Sequence, residues 1–176
     1  IGAGTSGQLD VYGNFINNAT VNGANGSTVR FMSESTQTIP AANYFNLTCN
    51  GSTGDRILSP TGTIGVAGTL TLGTNNYTTT SSTINFNGSG NQTIPIQPTT
   101  GFYNNLMVST GGTKTIQATT NINGNLTINS GATLADGVNN IIVGPGSSSG
   151  KTFTIDDNGT FTSVNTSIAI NSTNIG

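Results

Sequence analysis

Ile122-Asn123-Gly124-Asn125-Leu126-Thr127-Ile128 decides the architecture of this chain, because it is the third copy of one pattern. The earlier copies are Val66-Ala67-Gly68-Thr69-Leu70-Thr71-Leu72 and Val11-Tyr12-Gly13-Asn14-Phe15-Ile16-Asn17. Each runs apolar, polar or small, Gly, polar, apolar. The copies lie 55 and 56 residues apart, and self-similarity at a fixed period of that size marks a repeat architecture.

The surrounding residues repeat as well. Residues 27–81 form one complete repeat and 82–137 a second in the same order. Ser27-Thr28-Val29-Arg30-Phe31 is answered by Ser82-Thr83-Ile84-Asn85-Phe86, and Gln37-Thr38-Ile39-Pro40 by Gln92-Thr93-Ile94-Pro95. Tyr44-Phe45-Asn46-Leu47 corresponds to Tyr103-Asn104-Asn105-Leu106, and Arg56-Ile57-Leu58 to Lys114-Thr115-Ile116. Residues 1–26 hold the tail of an earlier repeat. Residues 138–176 diverge into further short apolar runs such as Phe153-Thr154-Ile155. Apolar residues alternate with polar ones between Gly and Asn-Gly turns, which predicts short strands and essentially no helix. Tyr44 to Cys49 is expected to be one strand with Phe45, Leu47 and Cys49 on one face. Residues 64–72 read as one long period-2 run.

A repeat of four or five short strands cannot close a core alone, but stacked repeats can share one. The expectation is therefore all-β: a right-handed parallel β-helix with two or three coils per 55-residue repeat, and residues 1–176 as a single solenoid domain. An antiparallel β-sandwich of two pseudo-repeats is the alternative, since strand spacing of roughly 8–12 residues suits it too.

Composition narrows the function classes. Only 6% of residues are charged, there is no His or Trp, and roughly half of the chain is Thr, Asn, Gly or Ser. A net charge of −2 supplies no basic stripe for nucleic acid and no polybasic patch for a membrane surface. No apolar run is long enough to span a bilayer, and no signal peptide is visible. One cysteine, Cys49, cannot form an internal disulfide and reads as a small buried hydrophobe.

The series S-T-[VI]-x-F, N-Q-T-I-P, F-Y-N-N-L, G-G-T-K-T-I and N-I-N-G-N-L-T-I, clearest in residues 82–128, resembles the repeat of large secreted cell-surface proteins of the Bacteroidetes. The resemblance covers about 27–137. It implies a β-helical, adhesin-like architecture and an extracellular, cell-surface location. It carries over no set of catalytic residues.

Candidate sites follow from residue chemistry. Asp156-Asp157-Asn158-Gly159 is a candidate Ca²⁺ turn, since hard cations want clustered oxygens; the plain alternative is an Asx turn. Asp10, Glu34, Asp55 and Asp136, with Arg30 and Arg56, are the groups a polysaccharide-active β-helix would use, because glycoside hydrolysis needs a carboxylate pair. Their scatter over the repeats favours solvated turns instead. Asn18, Asn25, Asn46, Asn50, Asn76, Asn87, Asn91, Asn125, Asn158, Asn165 and Asn171 each begin N-x-[ST] and are candidate glycosylation sites. Thr78-Thr79-Thr80 and Thr69-Leu70-Thr71 are threonine runs of the kind that suits an ice-binding face, but no regular T-x-T is visible on every coil.

The leading expectation is a non-catalytic structural or adhesive module of a secreted surface protein. It would bind glycans, other surface proteins or copies of itself, and need no cofactor. The alternatives are a subunit that polymerises into an extracellular filament and a carbohydrate-active enzyme.

Overall fold

The computed structural model describes residues 6–16, 26–50, 53–98, 102–144, 150–164 and 168–170. Every regular element among them is a β-strand, and every strand pairing is parallel. The chain is a parallel β-solenoid, and the antiparallel sandwich is excluded.

Strand β1 (Gln8–Val11) precedes the first complete repeat. That repeat supplies β2 (Thr28–Phe31), β3 (Gln37–Ile39), β4 (Asn43–Tyr44), β5 (Asn46–Thr48), β6 (Arg56–Leu58), β7 (Ile64–Val66), β8 (Leu70–Thr71) and β9 (Tyr77–Thr78). The second supplies β10 (Thr83–Phe86), β11 (Gln92–Ile94), β12 (Asn105–Val108), β13 (Thr113–Ile116), β14 (Thr120–Ile122), β15 (Leu126–Ile128) and β16 (Thr133–Ala135). Tyr103, bridged in parallel to Ile122, takes the place of β4 there. Strands β17 (Ile141–Val143), β18 (Phe153–Ile155), β19 (Thr160–Thr162) and β20 (Ile168–Ile170) follow.

Successive strands occupy three sides of a prism in turn. Side 1 holds the ladder β1-β2-β5-β8 and then β11-β13-β16-β19. Side 2 holds β3-β6-β9 and then β14-β17-β20. Side 3 is one unbroken ladder, β4-β7-β10-β12-β15-β18. Each repeat thus lays down eight strand positions at three per coil, or two and two-thirds coils. Strand β2 opens the first repeat on side 1, whereas its counterpart β10 opens the second on side 3.

Stacking puts like over like. On side 3, Ile64, Ile84, Leu106 and Leu126 form one inward column, and Val66, Phe86, Val108 and Ile128 the next; all eight are buried. Fully burying such side chains is worth about 1.5–3 kcal/mol each. The alternation in the sequence fails at corners. Between β4 and β5 the chain turns at Phe45, so Tyr44 and Leu47 both point inward while Phe45 is only half-buried. The run 64–72 is likewise two strands, β7 and β8, meeting at Ala67-Gly68.

The repeated motifs are matched sets of corner hydrogen bonds. Gln37 donates from Nε2 to the carbonyls of Val11 and Gly13 (both 2.8 Å) and accepts from the Ser33 N–H. Gln92 donates in the same way to Val66 (2.9 Å) and Gly68 (2.8 Å) and accepts from the Gly88 N–H. The Tyr44 hydroxyl donates to the Pro40 carbonyl, and the Tyr103 hydroxyl to that of Pro95. In two copies of the opening pattern the glycine, Gly68 or Gly124, makes room for an amide from the coil below. Asn46 Oδ1 accepts from the Thr69 N–H (2.9 Å), and Asn105 Oδ1 from that of Asn125 (3.0 Å). A Cβ on Gly68 would stand 2.4 Å from Asn46 Oδ1, and one on Gly124 would stand 2.3 Å from Asn105 Oδ1.

Gly68→Ala and Gly124→Ala are each expected to cost roughly 1–3 kcal/mol in urea unfolding, through displaced amide caps and local overpacking. At Gly68, where the clashing atoms belong to side chains, the cost and that of Asn46→Ala should be non-additive.

Burial also pushes up the ionisation of Tyr44, Tyr77, Tyr103 and Cys49, the Tyr77 phenol and the Cys49 thiol each to about 12. The folded chain holds these protons more tightly than the unfolded chain does. Their contribution is therefore complete below the ordinary range and is lost as pH rises toward 12. Alkaline titration should show stability falling from about pH 9, where the Cys49 thiol of the unfolded chain ionises, and more steeply from about pH 10 to 12 as its tyrosines follow, by up to about 1.4 kcal/mol per pH unit for each group ionised in the unfolded chain. Phenolate absorbance from the buried tyrosines should appear together with unfolding.

Candidate functional site

The outer surface of side 1 is a ladder of threonine and asparagine. In a strand, successive side chains alternate between faces, so each inward residue here is flanked by two outward ones. Leu47 pairs with Leu70, and Asn46 and Thr48 stand outward beside Thr69 and Thr71. Lys114 pairs with Leu134 and Leu134 with Phe161. Outward of these, Thr113 pairs with Thr133 and Thr133 with Thr160, while Thr115 pairs with Ala135 and Ala135 with Thr162. Between the two sets lie Asn91 and Thr93, both exposed. Thr93 pairs with Thr115, and Asn91 Oδ1 accepts from the Thr113 N–H (2.9 Å).

Strands β8 and β11 belong to separate ladders, but the order of strands around the coil puts both on side 1. Gln92 Nε2, bound to the Gly68 carbonyl, ties them together. A shallow groove of about 650 Å³ runs along the adjoining corner, with Phe45, Asn46, Thr69, Asn91 and Thr93 on its walls. Its lining holds no ionisable side chain, so it offers hydrogen bonds and an aromatic edge but no proton donor or base.

The threonine ladder is braced from behind. Lys114 is fully buried, and its Nζ donates to the carbonyls of Gly88 (2.7 Å) and Gly111. Burial disfavours the ammonium and draws its pKa down. Arg56, also fully buried but on side 2, caps corner carbonyls in the same way one repeat earlier, donating to Gly54 (2.6 Å), Phe31 and Ser33 (both 3.1 Å). Both cations are held by carbonyl dipoles turned inward at corners, and Gln37 and Gln92 are their neighbours in register.

The candidate acids take other places. Asp10 pairs with Arg30 across the β1–β2 register, with Arg30 Nη2 2.5 Å from Asp10 Oδ2. That bond holds the Asp10 carboxyl below its ordinary range. Glu34 is exposed, and Asp55 accepts from the Asn76 amide (3.0 Å). Asp136 is buried, accepting from the Val138 N–H, the Ser163 hydroxyl and the Val164 N–H. Among the described residues no group of three or more His, Cys, Asp or Glu comes together. Asp156-Asp157-Asn158-Gly159 is an exposed tight turn closed by the Gly159 N–H on the Asp156 carbonyl (2.7 Å), with Asn158 left-handed at φ 64°. Cys49 is buried.

Of the sequon asparagines, Asn50, Asn76, Asn91, Asn125 and Asn158 are exposed. Asn46 and Asn87 are half-buried: Asn46 binds Thr28 and Thr69, and Asn87 binds Asn43. Asn18, Asn25, Asn165 and Asn171 lie outside the described residues.

A T-x-T on every coil is absent, as expected: Thr69-Leu70-Thr71, Thr113-Lys114-Thr115 and Thr160-Phe161-Thr162 carry it, whereas Asn46, Asn91 and Ala135 each replace one threonine on the other coils, and the ladder is a mixed one. Its members recur at 22, 22, 20 and 27 residues from Thr69 through Asn91, Thr113 and Thr133 to Thr160, a spacing set by the coil and hidden under the longer repeat. The short motifs Thr69-Leu70-Thr71, Thr113-Lys114-Thr115 and Thr160-Phe161-Thr162 are the signal that coil-length spacing would have exposed.

Lys114→Met leaves two inward carbonyls without their donor and is expected to cost about 2–4 kcal/mol, measured by chemical unfolding. Lys114→Arg, which copies Arg56, should remain within about 1 kcal/mol of the parent chain.

The chain matches no family model, no curated protein and no solved structure.

Proposed function

We propose that this chain is a rigid, non-catalytic surface-binding module of a secreted cell-surface protein. The observation that carries this reading is the uncharged threonine–asparagine ladder on side 1, held in register over successive coils. Each hydroxyl or amide offers a weak contact. An array of them on a stiff frame engages an extended surface at many points at once, so avidity rises without any strong single contact. The frame suits this task because its ladders and buried corner donors fix the array before binding, so little ordering entropy is lost on contact. The resemblance of the repeat to secreted Bacteroidetes surface proteins supports the location.

Adsorption of the purified chain to neutral hydroxylated solids (crystalline cellulose, crystalline chitin, ice) is the direct test. Uptake by at least one of them, little changed by added salt because the side 1 ladder is uncharged from Asn46 to Thr162, is the expected result. No uptake by any of them would overturn the surface-binding role. Release of reducing sugar from the polysaccharides would overturn its non-catalytic character.

A further inference from the structure

We propose that the surface bound by side 1 is ice. This rests on the surface-binding reading and narrows it to one ligand, a crystalline lattice of water.

The argument starts from spacing. Adjacent coils stand about 4.8 Å apart and alternate residues of one strand about 6.6 Å apart. The outward positions, nine of twelve of them threonine with Asn46, Asn91 and Ala135 at the others, therefore form a two-dimensional grid of hydroxyl and amide groups that a regular lattice of water oxygens can meet. The columns hold their register from Thr113 through Thr133 to Thr160 without a slip. Threonine is β-branched and stiff at χ1, so the grid is preorganised. Each residue offers a hydroxyl that both donates and accepts, as a lattice water does, beside a methyl group that sheds disordered hydration.

Charge and composition favour the same ligand. From Asn46 to Thr162 the outward positions carry no charged side chain and no aromatic ring. Charged groups would hold their own hydration shells against the crystal, and a polysaccharide lattice would call for flat rings along the array to stack on its sugars, whereas Phe45 is half-buried in the corner groove beside it. Thr is favoured on exposed strands in general, and it is densest on side 1, where it fills nine of the twelve outward positions from Asn46 to Thr162. Side 2 carries Thr38 and Thr78 among Ile57, Asn121 and Ile142, and side 3 carries Thr83, Thr127 and Thr154 among Asn43, Gly65, Asn85, Asn105 and Met107. Only on side 1 do the threonines stand in paired columns over most coils.

The deciding experiment is partition of the intact chain into a slowly grown ice hemisphere, with thermal hysteresis and crystal shape recorded on the same samples. Thr93→Tyr and Thr115→Tyr place a bulky ring in the grid, and Thr127→Tyr places the same ring on side 3. Circular dichroism verifies that each variant is folded. The expected result is concentration of the parent chain in ice and faceted crystals. The effect should fall at least tenfold in Thr93→Tyr and Thr115→Tyr and persist in Thr127→Tyr. Exclusion of the parent chain from ice overturns the proposal. If cellulose or chitin then still takes up the chain, the surface-binding reading survives alone; if neither does, both readings fall. Ice uptake that Thr127→Tyr abolishes and the side 1 variants leave unchanged overturns the assignment to side 1.

Discussion

Every feature of this molecule depends on the in-register parallel ladder between successive coils. A strand of three or four residues has too few hydrogen bonds to persist alone, and its two edges are unpaired. Here every strand is paired with a counterpart in at least one adjacent coil, and those inside a ladder with counterparts on both edges, so short strands become members of longer ladders. Because pairing is parallel and without slip, inward residues meet inward residues and outward ones meet outward ones. The core is thereby a set of aliphatic and aromatic columns, and the surface a set of polar ones.

The same ladder creates the main difficulty, which lies at the corners. When the chain leaves one side for the next, some carbonyls turn inward, where water cannot serve them. The molecule answers with side chains long enough to reach back one coil: Gln37, Arg56, Gln92 and Lys114. Burying a lone cation is ordinarily prohibitive. Here two carbonyl oxygens accept from Lys114 and four from Arg56, so the two cations serve as structural groups.

The fold was largely readable from sequence because its constraints are local and repeated. Gly68 and Gly124 answer one another because each is covered by an asparagine from the coil below, Asn46 and Asn105 respectively. Gln37 and Gln92 recur because each binds the equivalent pair of carbonyls one coil back, Val11 and Gly13 for the first and Val66 and Gly68 for the second. The corners were harder to read. Phe45, Leu47 and Cys49 alternate as an uninterrupted strand would, and nothing in that alternation shows that the chain bends at Phe45 and resets which face is inside. The threonine ladder was hidden for a different reason. Its members come from different positions of the repeat, the Thr69-Leu70-Thr71 pattern of one copy being followed on the same side by Asn91-Gln92-Thr93 of the next. Comparing the repeats with one another therefore never aligns them; only coil-by-coil stacking does.

Eight strand positions per repeat and three sides per coil share no common factor. Duplicating a single unit of such a chain would not simply lengthen the rod: everything downstream would be carried round the axis by one side, and an established surface would be broken in two. Only the gain or loss of three units together restores the phase. Growth of a solenoid of this kind by tandem duplication is therefore quantised, and a surface continuous across a repeat boundary, such as side 1, has to be rebuilt by point substitution after any smaller event.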